Sequence, residues 1–170
     1  MLLFYHEINV YRELKQINMT NQEKITTILR HIKRVEDNCN LLSRKIIDTE
    51  PNFALELIRR GRLHDLSKFN PYLFESLWEG HQNFQSALNF HRTRESHHPE
   101  YHTCIQDMCD LDIAEMVCDC MGRAQEFGTD IRDWFFKDEY APTKYDYKGD
   151  KETIERIKKY VDLLLTPKFE

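Results

Sequence analysis

Histidine and aspartate recur along this sequence in a combination that proteins use to bind transition metals. Imidazole nitrogens and carboxylate oxygens together suit Zn, Mn and Fe. The set includes one directly adjacent histidine–aspartate pair, which offers two ligands at a single point of the chain. The candidate ligands are, in chain order, His31, His64, Asp65, His91, His97, His98 and Asp119.

Several of these polar side chains fall on otherwise apolar helical stripes. A single inward-facing histidine is usually a hydrogen-bonded core residue, but several of them together with an aspartate are costly to bury without partners. A metal ion pairs them all and removes that cost. We therefore predict a metal site in which His64 and Asp65, about 100° apart on a helix, serve one ion and reach toward a second.

Apolar residues at helical spacing place the first ligand on a long helix. Thr20 and Glu23 form a capping-box pattern at its start. His31 lies three residues after Ile28 and four before Val35, so it faces inward with the stripe that follows. The predicted stripe consists of Ile25, Ile28, Leu29, Ile32, Val35, Leu42 and Ile46.

Two further helices are predicted to carry the central ligands. A helix capped by Asn52 is favoured to continue through Gly61 into the His64-Asp65 pair, and a break in that stretch is left open. Residues 84–91 carry apolar side chains on one face, and His91 completes that face. His91 is therefore predicted to point into the core.

A strong helix over about 111–127, ending at Gly128, is predicted to carry the last ligand. Glu115, Asp119 and Gly122 share one side of it. The glycine would let a neighbouring helix or a substrate approach closely.

Composition indicates one helical domain. The 170 residues include only 5 Gly and 5 Pro and no alternating Val/Ile/Thr runs, which favours an all-α fold. We predict an N-terminal arm or short helix over 1–19 and a single helical domain over 20–170. The net charge of −5 argues against general nucleic-acid binding, whose footprint is a basic patch.

The chain also lacks the signals of a membrane or secreted protein. No segment approaches the ~18 apolar residues of a membrane span. Glu7 and Arg12 interrupt the apolar N-terminus before a signal peptide could form. Five cysteines without a CxxC pair favour buried, reduced thiols over a disulfide framework or a zinc–thiolate site. We therefore expect a cytoplasmic protein with no membrane partner.

The order of the ligands resembles a known family signature. The spacing is similar to the H…HD…H…H…D pattern in the dinuclear branch of the HD superfamily of metal-dependent phosphohydrolases. This resemblance implies an HD-type helical bundle that holds divalent transition metals, Fe, Mn, Co or Zn with Mg as a further option, at two ions per chain. It also implies hydrolysis of a phosphorylated substrate.

Two narrower likenesses accompany that pattern. Residues 64–68, HDLSK, resemble the HD-x-x-K stretch of the cyclic-dinucleotide phosphodiesterases called HD-GYP, in which the lysine contacts phosphate. The GYP triplet is lacking here, and the gap from His91 to His97 is shorter. Over most of residues 25–135 the chain resembles small phage and bacterial proteins of uncharacterised function. The shared motifs are HDLSK-[FY] at 64–69, an aromatic-rich helix at 84–91, HHPEY at 97–101 and EM-x-x-D at 115–119.

Residue types and the resemblance together suggest catalytic roles. Asp65 would bridge the metals or orient the attacking water. Lys68, Arg92 and Arg94 are candidates for binding substrate phosphate. Glu115 would be either a hydrogen-bond partner of a ligating histidine or a general acid.

The histidine doublet leaves more than one assignment open. Pro99 places His97 and His98 at a helix end or in a loop, and only one of them is needed to complete a dinuclear site. His81 and His102 remain outside candidates because the gap before the doublet is short.

Three functions remain open on these residues. The first is a phosphomonoesterase or phosphodiesterase acting on a nucleotide or related phosphorylated metabolite. The second is a mixed-valent di-iron oxygenase, because a few HD-superfamily members use the same ligand order to activate oxygen. The third is a non-catalytic metal- or ligand-binding regulatory protein. We predict the hydrolase, with a small phosphorylated substrate as its partner, and make no prediction of oligomeric state.

Overall fold

The computed structural model describes residues 19–137 and 150–167, and every regular element within them is helical. Three short 3₁₀ turns lie at Leu66–Phe69, Pro99–Tyr101 and Ile105–Asp107. The predicted all-α, single-domain fold is confirmed, whereas the predicted N-terminal arm lies, except for Met19, outside the described residues. The helices are α1 (Asn21–Ile46), α2 (Pro51–Leu63), α3 (Pro71–Ser76), α4 (Phe84–Arg92), α5 (Asp110–Phe127), α6 (Ile131–Phe136) and α7 (Lys151–Leu165).

Helix α1 begins with the predicted capping box. The backbone N–H of Glu23 donates to the Thr20 hydroxyl (3.2 Å), and that of Thr20 donates to the Glu23 carboxylate (2.8 Å). Most of the predicted stripe is buried, but Ile25 and Leu29 are 41% and 50% exposed, so their placement in the core was wrong. Leu29 lies about 100° around the helix from Ile28 and therefore flanks the buried face.

Helices α1, α2, α5 and α7 pack around the main apolar core. Val35, Leu57, Val117 and Tyr160, one from each helix, are fully buried in it. Helix α2 can approach α1 closely because Gly61 lacks a side chain: a Cβ there would lie 2.6 Å from Cβ of Cys39. The end of α2, where the His–Asp pair follows, is thereby held against α1.

The His64-Asp65 pair does not continue the helix, contrary to prediction. Helix α2 begins at Pro51 with Glu50, not Asn52, as its N-cap, and it ends at Leu63. Asp65 adopts a left-handed backbone conformation with φ of 57°. Aspartate tolerates this region better than most residues. The reversal turns both side chains toward the interior, where each is at most 2% exposed.

Helix α5 supplies the opposite wall of the site. It begins at Asp110, after an N-cap at Cys109, and ends at Gly128 in the left-handed conformation (φ 66°), as predicted. Gly122 does allow close packing of a neighbouring helix, since a Cβ there would meet Val35 of α1 at 3.3 Å. Among the described residues no helix is both long enough and apolar enough to cross a membrane.

Candidate metal centre

All of the predicted metal ligands converge on one buried region. They come from α1, the residues after α2, α4, the turn after α4, and α5. Five of them are at most 3% exposed, and the other two, His98 and Asp119, are partly buried. The ligand atoms fall into two groups that share Asp65. We name them set A (His31, His64, Asp65 and Asp119) and set B (Asp65, His91, His97 and His98).

Set A brings together one atom from each of its residues. Nε2 of His31 lies 3.2 Å from Oδ2 of Asp65 and 3.1 Å from Oδ1 of Asp119. Nε2 of His64 lies 3.3 Å from the same Asp65 oxygen and 3.8 Å from the Asp119 oxygen. Each of the two imidazole nitrogens therefore lies close to one carboxylate oxygen of Asp65 and one of Asp119.

Set B gathers around the other oxygen of Asp65. Its Oδ1 lies 3.1 Å from Nε2 of His91 and 3.7 Å from Nε2 of His97. Nε2 of His98 lies 3.2 Å from Nε2 of His91. His97 also lies within reach of His64 and Asp119, so it stands between the sets. Both members of the doublet thus lie at the centre.

These spacings match the edges of a coordination shell. Ligand atoms about 2.1 Å from a metal are separated by about 3.4 Å in a tetrahedron and about 3.0 Å between octahedral neighbours. The nitrogen–oxygen and nitrogen–nitrogen distances given above fall in or just above this range. The side chains could therefore bind an ion with only small shifts.

Unsatisfied polar atoms point to the same conclusion. Nε2 of His31, Nε2 of His64, Oδ1 of Asp65, Nε2 of His97 and Oδ1 of Asp119 are buried without a hydrogen-bond partner among the described residues. Leaving such atoms unpaired is costly. A divalent ion is a partner that several nitrogens and carboxylate oxygens can share. These buried His and Asp groups can hold a metal ion.

Lys68 reaches the centre through a turn and not along the face of a helix. Its backbone N–H donates to the carbonyl of Asp65 (2.9 Å) in the 3₁₀ turn that follows. The Lys68 ammonium forms an ion pair with Oδ2 of Asp65. The neighbouring Ser67 hydroxyl lies 3.4 Å from Nδ1 of His91. This short segment therefore contacts residues of both sets.

Glu115 is buried behind the ligands and serves both sets. Its Oε1 accepts a hydrogen bond from Nδ1 of His64 (2.9 Å) and lies 3.4 Å from Nδ1 of His97. A carboxylate only accepts, so Nδ1 of His64 carries the proton and Nε2 is the atom left for a metal. Arg60 donates to Oε2 of Glu115 at 2.5 Å. These contacts support the predicted role as a partner of ligating histidines.

The network that holds Glu115 was not predicted from the sequence. Arg60 also donates to Asp112 (2.7 Å) and to the hydroxyl of Ser96 (2.6 Å). His102 donates to the Ser96 carbonyl (2.8 Å) and contributes to neither set. The sequence did contain one indication that Arg60 lies near the centre, because Arg60 precedes His64 by one helical turn. His81 also contributes to neither set, and its Nδ1 accepts from the backbone of Asn83 (3.1 Å).

Burial and neighbouring charges shift the pKa values of the buried histidines in different directions. Burial lowers the pKa of His64, but neighbouring carboxylates, Asp65 above all, outweigh it and hold that pKa well above its usual value. Burial and the charge of His64 lower the pKa of His97 to about 4. Burial lowers the pKa of His98 to about 2. At neutral pH the doublet therefore offers free lone pairs, whereas an ion would displace a proton from His64.

A cavity of about 430 Å³ opens onto the centre. His31, His91, His98 and Asp119 line its floor. A second cavity, of about 310 Å³, reaches the residues behind, His64, His97 and Glu115. Ligands of both sets are therefore accessible to a small molecule.

Only two of the three predicted phosphate-binding residues face the larger cavity. Lys68 and Arg92 line it, and Arg92 is paired with Glu100 at 3.3 Å. Arg94 is exposed, and its guanidinium lies 3.7 Å from the centre of the Phe90 ring. Arg94 is therefore not placed to contact a ligand in this cavity.

The five cysteines are all free thiols. Cys39, Cys118 and Cys120 are buried, whereas Cys104 and Cys109 are exposed. None of them belongs to a metal-ligand group among the described residues. The predicted preference for free thiols over a zinc–thiolate site agrees with this placement, although two of the thiols are not buried.

Comparison with known proteins identifies a family but no function. No curated protein and no solved structure matches the chain. A family of unknown function, DUF5662, matches residues 72–162, which include set B apart from Asp65, together with Glu115 and Asp119. The match spans more than half of the 170 residues, and the chain therefore belongs to the DUF5662 family.

Proposed function

We propose that this protein is a metal-dependent phosphohydrolase that cleaves a phosphate ester with two divalent ions, one at set A and one at set B. The observation that carries the proposal is the position of Asp65. Its Oδ2 faces His31 and His64, while its Oδ1 faces His91. A carboxylate placed in this way would help to hold an ion at each set, as two-metal phosphohydrolases require.

The bound ions would supply Lewis-acid activation of a phosphoryl group and of a water molecule. The side chains around them supply position and charge. The Asp65 carboxylate belongs to both sets and therefore fixes their positions relative to each other. The resemblance of the ligand order to the HD superfamily supports the same chemistry.

The donor types favour particular ions. Each set contains at least two imidazoles and one carboxylate, which suits Zn, Mn, Fe or Co. Magnesium prefers oxygen ligands and retains its water shell, so histidine-rich sites suit it less well. We therefore expect transition metals in the native protein.

Lys68 and Arg92 are placed to bind the anionic part of the substrate. Both line the larger cavity, whose floor carries the metal ligands. The Lys68 side chain is 14% exposed and is paired with Asp65. An ion bound to that carboxylate would compete for it and leave the ammonium available to a phosphoryl oxygen. Positive charge placed in this way would bind the phosphoryl group in the substrate as well as in the transition state, and so would favour substrate binding.

Glu115 acts as a positioning residue in this proposal, not as the general acid. Its two oxygens are engaged by His64 and Arg60, and it does not line the larger cavity. Carboxylates that orient metal-bound histidines in this way typically contribute 10–100-fold to metal affinity or activity.

One experiment tests the proposal against its alternatives. The protein is purified without added metal, its metal content is measured, and turnover of nucleotides and other phosphate esters is assayed with Mn, Co or Fe, with and without dioxygen. We expect about two ions per chain and hydrolysis that needs no dioxygen. Iron-dependent turnover that requires dioxygen would instead identify the di-iron oxygenase. Metal binding without turnover would identify the regulatory protein.

A further inference from the structure

The larger cavity has a composition that restricts the substrate. Its floor is formed by residues of sets A and B, so a ligand that fills it must contact the metal centre. Its volume, about 430 Å³, lies within the usual range for small-molecule sites. The remaining lining therefore determines which phosphate esters fit.

The walls of this cavity are largely apolar. One wall is formed by α3, α4 and the residues between them, with Leu77, Trp78 and Leu88 among its lining side chains. The lining also includes Met116 from α5 and Trp134 from α6. Apolar and aromatic side chains thus enclose the space that extends from the ligand sets.

The polar groups in these walls are already engaged. The indole N–H of Trp78 donates to the Phe74 carbonyl (2.6 Å), and that of Trp134 donates to the Thr129 hydroxyl (2.8 Å). Among the described lining residues, Thr27 is the only one with a side-chain hydroxyl or amide. Few uncommitted hydrogen-bonding groups therefore remain for the hydroxyls of a sugar or the edge of a base.

Of the charged lining residues outside sets A and B, Lys68, Arg92, Arg123 and Glu126 are ion-paired as well. Arg123 forms an ion pair with Glu126 (3.1 Å), and both line the cavity. Arg92 is paired with Glu100 and Lys68 with Asp65. Attraction for an anion is thus concentrated at the metal centre and at Lys68 and Arg92, the residues proposed to bind the phosphate, while the rest of the cavity favours an uncharged group.

We infer that the substrate is a phosphate ester of an apolar, ring-containing alcohol, with its phosphate at the metal centre and its ring between the apolar walls. This inference rests on the proposed function for the site of the phosphate. A polar sugar placed between these walls would lose hydrogen bonds to water without replacement. An aromatic ring would gain from burial there.

Two phosphonates that differ only in the apolar group test the inference. Benzylphosphonate and methylphosphonate carry the same anionic head, and their C–P bond resists hydrolysis. Each is titrated, without dioxygen, into the metal-loaded full chain. Tryptophan fluorescence reports binding, because both tryptophans of the chain line the cavity. We expect benzylphosphonate to bind about 10–100-fold more tightly, as burial of a ring predicts.

A matched pair of leucine variants locates the effect. Leu88→Ala removes part of one wall, whereas Leu55→Ala truncates a leucine on α2 that is 59% exposed and does not line the cavity. Leu88→Ala should weaken benzylphosphonate binding about three- to tenfold and leave methylphosphonate binding unchanged. That unchanged affinity also verifies the fold of the variant. Leu55→Ala should change neither affinity.

The outcomes separate this inference from the proposed function. Equal affinities for the two phosphonates, or tighter binding of ribose 5-phosphate than of benzylphosphonate, would overturn the apolar substrate class even if phosphate esters are hydrolysed. Failure of both phosphonates to bind would overturn it as well. Selective binding of benzylphosphonate without turnover of any phosphate ester would support the ligand class and reject the hydrolase.

Discussion

Sets A and B are built on different kinds of structure. His31 lies in the interior of the 26-residue α1, and Asp119 lies in the middle of the 18-residue α5. Both helices belong to the main core, where Val35 and Val117 are fully buried. The helical ligands of set A are therefore fixed by the same packing that stabilises the domain.

Set B depends on less extensive packing. His91 is the penultimate residue of the nine-residue α4, which buries only Ala87 besides His91 itself. The histidine doublet follows in a turn, held largely by the contacts of Ser96 with Arg60 and His102. Segments with few buried apolar contacts open at lower free energy than core helices. We therefore expect set A to be preformed and to bind its ion more tightly.

Asp65→Asn should have the largest effect because both sets share that carboxylate. An amide is a much poorer ligand for these ions, so metal content should fall at both sets and turnover should drop on the order of 1,000-fold. Asparagine tolerates the left-handed backbone, and the fold should survive. Metal analysis, steady-state kinetics and the melting temperature of the metal-free protein measure these effects. Full activity with full metal content would place the centre elsewhere.

Removing one histidine from each set tests their ranking. His91→Ala should leave about one ion per chain, because set A keeps all of its ligands. His31→Ala should leave less than one, because it removes the tighter site and set B remains weak. Metal content after dialysis against a mild chelator measures the difference. Retention of one ion by His31→Ala and none by His91→Ala would show that set B, not set A, binds its ion more tightly.

Glu115→Gln should weaken both sets together by a smaller factor. The carboxylate orients His64 directly and lies beside His97, so its loss should lower metal affinity by about 10–100-fold. Competition with a chromophoric chelator gives the affinities. Glu155→Gln is the matched control, because Glu155 is an exposed carboxylate on α7 that lines neither cavity. Equal behaviour of the two variants would remove Glu115 from the centre.

Helical periodicity was sufficient to predict which ligands face inward. His31 and His91 each lie on an amphipathic face, and such a face is buried whatever its partner. The sequence placed His97 and His98 only at a helix end or in a loop. Pro99 marks the end of a helix, but it does not show which way the two preceding side chains point. The burial of both its members at set B depends on contacts distant in sequence.

The local break at the His–Asp pair could not be predicted from periodicity. Residues 63–66 contain neither glycine nor proline, so nothing obvious ended the helix before His64. The left-handed Asp65 is stable only because surrounding groups hold it. Arg60 was missed for a related reason. From the sequence alone an arginine on α2 looks like a solvent-exposed residue, and its contacts become evident only where α5 packs against α2. Long-range packing, not local sequence, determines both features.

Lys68→Ala should have the smallest effect of these variants and should act on substrate rather than on metal. The ammonium is paired with Asp65 but belongs to neither set, so metal content should stay at the level of the unmodified protein. Loss of a charge at the cavity wall should raise KM for a phosphate ester about tenfold while kcat changes much less. Lys33→Ala is the control, because Lys33 is exposed and pairs with Asp37 on α1. If Lys68→Ala instead loses metal, the ammonium stabilises the Asp65 turn; if KM is unchanged, the phosphate does not reach this side of the cavity.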